Sequence, residues 1–478
     1  EHFPLFQVCV LFFASLTGAL PLTSLFPYVA NMVVDLGAAP DVDRAGFVSG
    51  YVASAFMFGR LLSSFYWGHV ADSIGRKPVI YISCLAIAVF SICFGLSVNL
   101  WMALLARFLL GFLNPLSSLT KTLISEICSK KHQPMGMAVA AGSWSVGLVV
   151  GPALGGSLAR SAQLYPGTIL DNPMTRQFPY LLPNAVTALF GIVSLVLIRL
   201  YLPETMAAKN IDVTTVHPSP EESGPPAPKE TALGAFIRNA AELTADRKVR
   251  KVCIAYFSIS LSAIIYDECL PLWALSSKEK GGLDMTSAMI GNVTSITGIP
   301  MLLFTFILFP ILNKRFGDAA CFRYAQLICN IFAVLTVGLA AAGALTGDAA
   351  IPVLVLLASG EKSFACVAFT ANFLLINDSV NAERRGSVNG FVMTIGGIAK
   401  TLGPIVGATI YAWSINNGVR VPPCNFVFVF LCCFLIGVVT MLVQFEKISS
   451  LADEAKDPKD QDMNSSSDIE NGRSGEVR

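Results

Sequence analysis

Long apolar stretches alternate with short polar ones along nearly the whole chain. Hydrophobic runs occupy about 5–33, 45–68, 79–97, 99–127, 135–159 and 178–201, and a second set about 251–275, 286–312, 320–344, 351–376, 387–414 and 425–445. Each is long enough to cross a hydrocarbon layer of roughly 30 Å as a helix. In lipid it must be helical, because every backbone group needs an internal partner. The pattern predicts an all-α integral membrane protein of twelve spans, arranged as two six-helix halves. The halves are 1–202 and 251–446, divided by a largely disordered polar linker at 203–250 and followed by a disordered tail at 447–478. Pro218, Pro220, Pro225, Pro226 and Pro228 among Glu221, Glu222, Ser223 and Gly224 give the linker a composition that cannot bury a core. A short amphipathic stretch is expected near 231–245.

Composition agrees with this reading. Of the 478 residues, 54% are hydrophobic and 14% charged, and the charges concentrate in the linker and the tail. That balance excludes a soluble enzyme. A net charge of +1 with no basic stripe excludes a nucleic-acid binder. Most of the twelve cysteines lie inside apolar runs and none has metal-ligand spacing, so no metal site and no cofactor are expected. Assigning the N-terminus to the cytosol places Arg76, Lys77, Lys130, Lys131, Lys314, Arg315, Arg323, Arg384 and Arg385 on short inner loops. Only Arg44, Arg160, Arg176, Lys278, Lys280 and Arg420 fall outside. The Lys/Arg bias therefore predicts cytosolic N- and C-termini and a cytosolic linker.

Internal symmetry is visible in GLVVGPALGG (147–156) of the fifth span and AKTLGPIVGA (399–408) of the eleventh. Each follows a short basic loop at an equivalent place in its half. Repeated halves are expected of a rocking transporter with a site near the midplane.

Three motifs carry the chemistry. Between the second and third spans the chain reads GHVADSIGRKP (68–78), which fits G-x-x-x-D-x-x-G-R-[RK]. Gly68 and Gly75 permit close helix approach and a tight turn, Asp72 can face a helix N-terminus, and Arg76, followed by Lys77, can face a carboxylate. Arg107 with Gly111 in the fourth span forms R-x-x-x-G; an arginine inside a span faces a partner or a wet cavity, or else snorkels to the interface. Gly147, Gly151, Pro152, Gly155 and Gly156 of the fifth span form G-x-x-x-G-P-x-x-G-G, where small residues allow close packing and the proline bends the helix. Ionisable or polar groups deep in spans are the candidates for proton and substrate: Arg107, Asn114, Lys121, Asp267, Glu268, Glu361 and Lys400, with Lys362 beside Glu361. A carboxylate facing a lysine can trade a proton against substrate; the alternative is a structural ion pair such as Lys400 with Glu361.

The 68–78 loop is the signature of the major facilitator superfamily, and the chain resembles that family over its whole membrane portion. The resemblance implies the twelve-helix major facilitator fold. It also implies docking of Asp72 at the start of the eleventh span, a gate in which Glu126 partners Arg76, and an association of the fifth-span motif with antiporters. ALPLTSLFPYV (19–29), RFLLGFLNPLSSLTKTLISEI (107–127) and DECLPLWALSSKEKGGL (267–283) further resemble the zinc-induced-facilitator-like branch. That branch implies proton-coupled antiport of a small organic solute or metal chelator by a monomer in a vacuolar, endomembrane or plasma membrane. A uniporter and a non-transporting membrane sensor of the same fold are the alternatives. The branch's histidine after Pro203-Glu204-Thr205 is replaced here by Met206, Ala207 and Ala208.

Overall fold

The computed structural model describes residues 3–129, 132–202, 242–341, 350–379, 385–418 and 424–454. Among the described residues the regular secondary structure is helical, and ten helices are long and apolar enough to cross a membrane, with Val427–Leu442 a shorter apolar one. Most of the predicted linker and the 231–241 part of the amphipathic stretch lie outside the described residues.

The apolar runs become helices close to their predicted limits, and the interruptions have local causes. The first span is Leu5–Thr23, broken around Pro27 and resumed as Val29–Asp35. The second runs Val42–Ile74 and the third Arg76–Gly95. They share one junction residue, Gly75, at φ 101° and ψ 161°, a conformation open to glycine and denied to other residues by their Cβ. The fourth span is two helices, Leu100–Phe112 and Leu116–Ile127. Pro115 has no N–H to continue the ladder, and the Asn114 side chain accepts from the Leu116 N–H at 3.4 Å as the helix restarts. The fifth and sixth spans are Gln133–Leu158 and Leu181–Tyr201.

The seventh is Arg247–Leu275. The eighth passes from Ser287–Leu303 through a π-turn at Phe304–Leu308, lying between Pro300 and Pro310, into Phe309–Phe316. The last four are Asp318–Ala341, Ala350–Asp378, Arg385–Asn416 and Val427–Glu454. Leu85, Leu189, Leu435 and Val439 are more than half exposed, as side chains facing lipid should be. Some polar groups inside are matched between spans: Ser15 with Thr120 and Thr17 with Ser194, each at 2.7 Å.

The halves meet along two pairs, the second span with the eleventh and the fifth with the eighth. The pairs are related by the sequence repeat. A Cβ on Gly291 of the eighth span would lie 2.6 Å from the Pro152 carbonyl oxygen, and one on Gly50 of the second span would overlap the Pro404 carbonyl. Equivalent prolines in GPALGG and GPIVGA thus press their carbonyls against a glycine of the opposite half. Gly50→Ala is expected to lower the thermal unfolding midpoint, corresponding to about 1–3 kcal/mol of overpacking. Gly390→Ala, on a residue with nothing within 4 Å, should be neutral or slightly stabilising. Parallel melts of the two variants check this.

Candidate functional site

Arg107 is 1% exposed, so it does not snorkel to an interface. Its Nη1 donates to the Pro21 carbonyl at 2.5 Å, one of the last-turn carbonyls that the end of the first span leaves without a helical partner. The helix C-terminus favours the positive charge there. The guanidinium also lies over Phe56 at 5.1 Å and Phe94 at 5.4 Å. Nε and Nη2 have no hydrogen-bond partner among the described residues. The carboxylate acting on Arg107 is Glu268 of the seventh span.

Glu268 is 1% exposed, with neither carboxylate oxygen hydrogen-bonded among the described residues. Arg107 and the Ser49 hydroxyl, both from the opposite half, act on it, as does the neighbouring Asp267. Glu361 of the tenth span is equally enclosed, at 4% exposure, and accepts from the Cys329 thiol at 3.4 Å. Its neighbour Lys362 pairs with Asp267 at 3.2 Å. That pair borders a cavity of about 20 Å³ lined also by Thr23, Pro152 and Thr294, room for one water between the halves. Among the described residues the ion pair here is therefore Asp267–Lys362, not Lys400–Glu361. Asn114 spends its amide on the Gly18 carbonyl at 3.4 Å and its oxygen on the helix restart.

Lys400 instead sits with two other cations. The charges acting on it are Arg60 and Lys121, and the charge acting on Lys121 is Arg60. Arg60 was not singled out in the sequence, although an arginine inside the second apolar run carries the same signal that marked Arg107.

Around these groups the halves form a V. At the end bearing Asp43, called here the latch end, contact is between backbones. A Cβ on Gly46 would lie 2.9 Å from the Ala408 carbonyl oxygen, and one on Gly156 would meet Gly291 Cα at 2.7 Å. Asp43 bridges the halves there. It pairs with Lys280 at 3.0 Å and accepts from the backbone N–H and hydroxyl of Ser277, both at 3.1 Å. Its own carbonyl accepts from the Asn416 amide at 3.0 Å. Asn31, in the Val29–Asp35 part of the first span, donates to Ser287 at the start of the eighth at 2.7 Å. Toward the motif end, the end bearing Gly75, contact between the described residues thins. Ser54 donates to the Thr401 carbonyl at 2.6 Å, Leu61 reaches Gly397 by its side-chain tip, and Gly390 faces open space. Between the fifth and eighth spans this end opens into an apolar cavity of about 310 Å³ lined by Met135, Val139 and Phe306.

In the loop motif, Arg76 pairs with Glu126 at 3.6 Å, and Lys77 donates to the Leu202 carbonyl. The side chain of Asp72 and the surroundings of Gly68 lie outside the described residues, as does the side chain of Arg385 at the start of the eleventh span. In the fifth-span motif, Gly147, Gly151 and Gly155 pack on the first span against Ala19, Thr23 and Ser24, whereas Pro152 and Gly156 pack across the halves on Gly291.

Two six-helix halves closed at one end, parted at the other among the described residues, and enclosing buried charges define a multi-pass membrane transporter. The profile of the Major Facilitator Superfamily matches residues 11–404, and the chain belongs to that superfamily. Zinc Induced Facilitator 1 of Arabidopsis thaliana is 32% identical over 92% of this chain and 90% of its own length. A probable peptide/nitrate transporter of the same plant is 32% identical, with 92% of each chain covered. Among solved structures, a D-xylose–proton symporter superposes with a TM-score of 0.69 at 13% identity, covering 93% of this chain and 97% of that one. A bacterial homologue of the human lysosomal transporter Spinster, inward-facing and occupied, superposes with a TM-score of 0.65 at 12% identity and the same coverage. The twelve-helix fold and the zinc-induced-facilitator-like resemblance stand, and the chain is a transporter, not an enzyme.

Proposed function

We propose that the chain is a proton-coupled antiporter of a small organic solute, working as a monomer by alternating access in a vacuolar, endomembrane or plasma membrane. In this reading the motif end, with both termini and the linker, is cytosolic, and the structure is the inward-facing state. The observation that carries it is Glu268. It is a carboxylate enclosed between the halves, its oxygens without a hydrogen-bond partner among the described residues and the cation acting on it, Arg107, on the other half. A charge so placed binds or releases a proton according to whether the halves hold Arg107 against it, because the opposite charge stabilises the ionised form and burial alone the neutral one. Glu361 beside Asp267–Lys362 is the second proton candidate, and Arg76–Glu126 belongs to the gate.

The test is proton flux in proteoliposomes under an imposed pH gradient, with nicotianamine, zinc–nicotianamine, auxin and cationic drugs as solutes. Solute-triggered proton movement is expected. It should fall at least tenfold in Glu268→Gln or Glu361→Gln while solute binding persists. Undiminished coupling in both variants overturns the assignment, and a solute that equilibrates without moving protons makes the chain a uniporter.

A further inference from the structure

Within the membrane part, three charges of one sign gather where, among the described residues, no counter-charge meets them. Arg60 comes from the second span, Lys121 from the fourth and Lys400 from the eleventh, so both halves contribute. Arg60 is held in place by donating from Nη2 to the Ser117 hydroxyl, one helical turn before Lys121. Lys400 lies next to Thr401, whose carbonyl accepts from Ser54, and one turn beyond Gly397, which packs on Leu61 beside Arg60. These contacts bring the helix segments that carry Arg60 and Lys400 against each other across the seam between the halves.

The acids are elsewhere. Glu126, on the same helix as Lys121, pairs with Arg76; Asp267 pairs with Lys362; Glu268 faces Arg107; and Glu361 accepts from Cys329. Among the described residues, the groups that act electrostatically on the three cations are one another and Tyr256 of the seventh span, which faces Arg60. Lys121 is exposed, whereas Arg60 and Lys400 are half-buried, so the cluster is reached from the motif end, where the halves part. Three cations in a partly dry site repel one another, and an arrangement of this kind is stable when an anion sits among them.

We infer that Arg60, Lys121 and Lys400 form the binding site for an oxyanion head, a carboxylate or phosphate, of the transported solute. This rests on the transport reading and adds the charge class of the cargo. Arg60 offers a planar fork suited to two oxygens, and the two ammonium groups offer point charges from either half. An anion held by all three draws the parted motif end together, because Lys400 lies on one side of the seam and Arg60 and Lys121 on the other. Binding thereby favours approach of the two halves around the cluster.

The experiment uses the purified full chain in phosphatidylcholine nanodiscs and follows the thermal unfolding midpoint. The titrants are malate, citrate and benzoate for the carboxylate arm, inorganic phosphate and glycerol 3-phosphate for the phosphate arm, and tetraphenylphosphonium as a cation. At least one anion is expected to raise the midpoint saturably. Lys121→Gln and Lys400→Gln should each weaken that anion at least tenfold, and Lys400→Arg should retain it. Lys121 is exposed, so its variant reads binding without a folding penalty. The inference is overturned if no anion acts, if only tetraphenylphosphonium acts, or if both Gln variants bind as the parent does. Stabilisation by nanodiscs containing phosphatidylglycerol but by no soluble anion also overturns it, by assigning the cluster to a lipid headgroup. These outcomes involve no proton gradient. Anion binding without proton movement would leave the site standing and end the antiport reading, and proton movement driven only by cations would do the reverse.

Discussion

Arg107→Ala is expected to reduce transport at least a hundredfold and to destabilise the protein by about 2–4 kcal/mol, the scale of a lost charge-assisted hydrogen bond together with its cation–π contacts. Three interactions disappear together. The Pro21 carbonyl loses its charged donor, Phe56 and Phe94 lose the cation between them, and Glu268 is left buried without its counter-charge. The last of these can be separated from the others. Adding Glu268→Gln to Arg107→Ala removes the orphaned carboxylate, so the double variant should melt above Arg107→Ala alone while transport stays lost. Denaturation midpoints of the four proteins in one detergent form the required cycle. Strict additivity of the two substitutions would show that Arg107 and Glu268 do not communicate across the halves.

Asp43→Asn is expected to shift the resting state toward opening at the latch end by roughly 30-fold. Asp43 is the residue on which the second span, the connection after the seventh span and the end of the eleventh converge. The amide removes the charge that holds Lys280 and weakens the bonds from Ser277, a loss of about 2 kcal/mol for a partly buried, charge-assisted set. Each 1.4 kcal/mol moves a two-state equilibrium tenfold. Backbone contacts at Gly46, Gly50 and Gly156 remain, so folding should persist. A cysteine at Ser49, labelled from the latch side with a membrane-impermeant maleimide, should react faster in the Asp43→Asn background. Equal labelling rates would mean that the glycine contacts alone keep this end closed.

Much of the fold could be read from hydropathy because lipid leaves so few options. Any run of that length must be helical, and its ends fall where polar residues begin. The interruptions were only partly legible. Pro115 breaks the fourth span and Pro27 the first, yet Pro21, Pro152, Pro271 and Pro404 lie within helices that continue past them. Whether a freed carbonyl finds another partner depends on neighbouring spans. The site was legible as a set of residue types and illegible as a set of pairs. Lys400 and Glu361 were plausible partners by sign, but Lys362, adjacent to Glu361 in sequence, points to Asp267, and Lys400 joins Arg60 and Lys121. The Asp43 latch gave no signal, since a charge at the mouth of a span is ordinary.

The sequence by itself determined the number and order of the spans, the division into halves, the repeat that makes Pro152 and Pro404 equivalent, and the loop motif that marks the superfamily. Each follows from local chemistry: apolar length, proline and glycine placement, and the exclusion of unpaired backbone from lipid. Only the tertiary structure decided which charge meets which, and at which end the halves close. The spans are apolar on nearly every face, so a helical period does not separate the side toward lipid from the side toward a partner. Arg107 and Glu268, or Asp43 and Lys280, are brought together by packing between halves, over separations in sequence that no local preference spans.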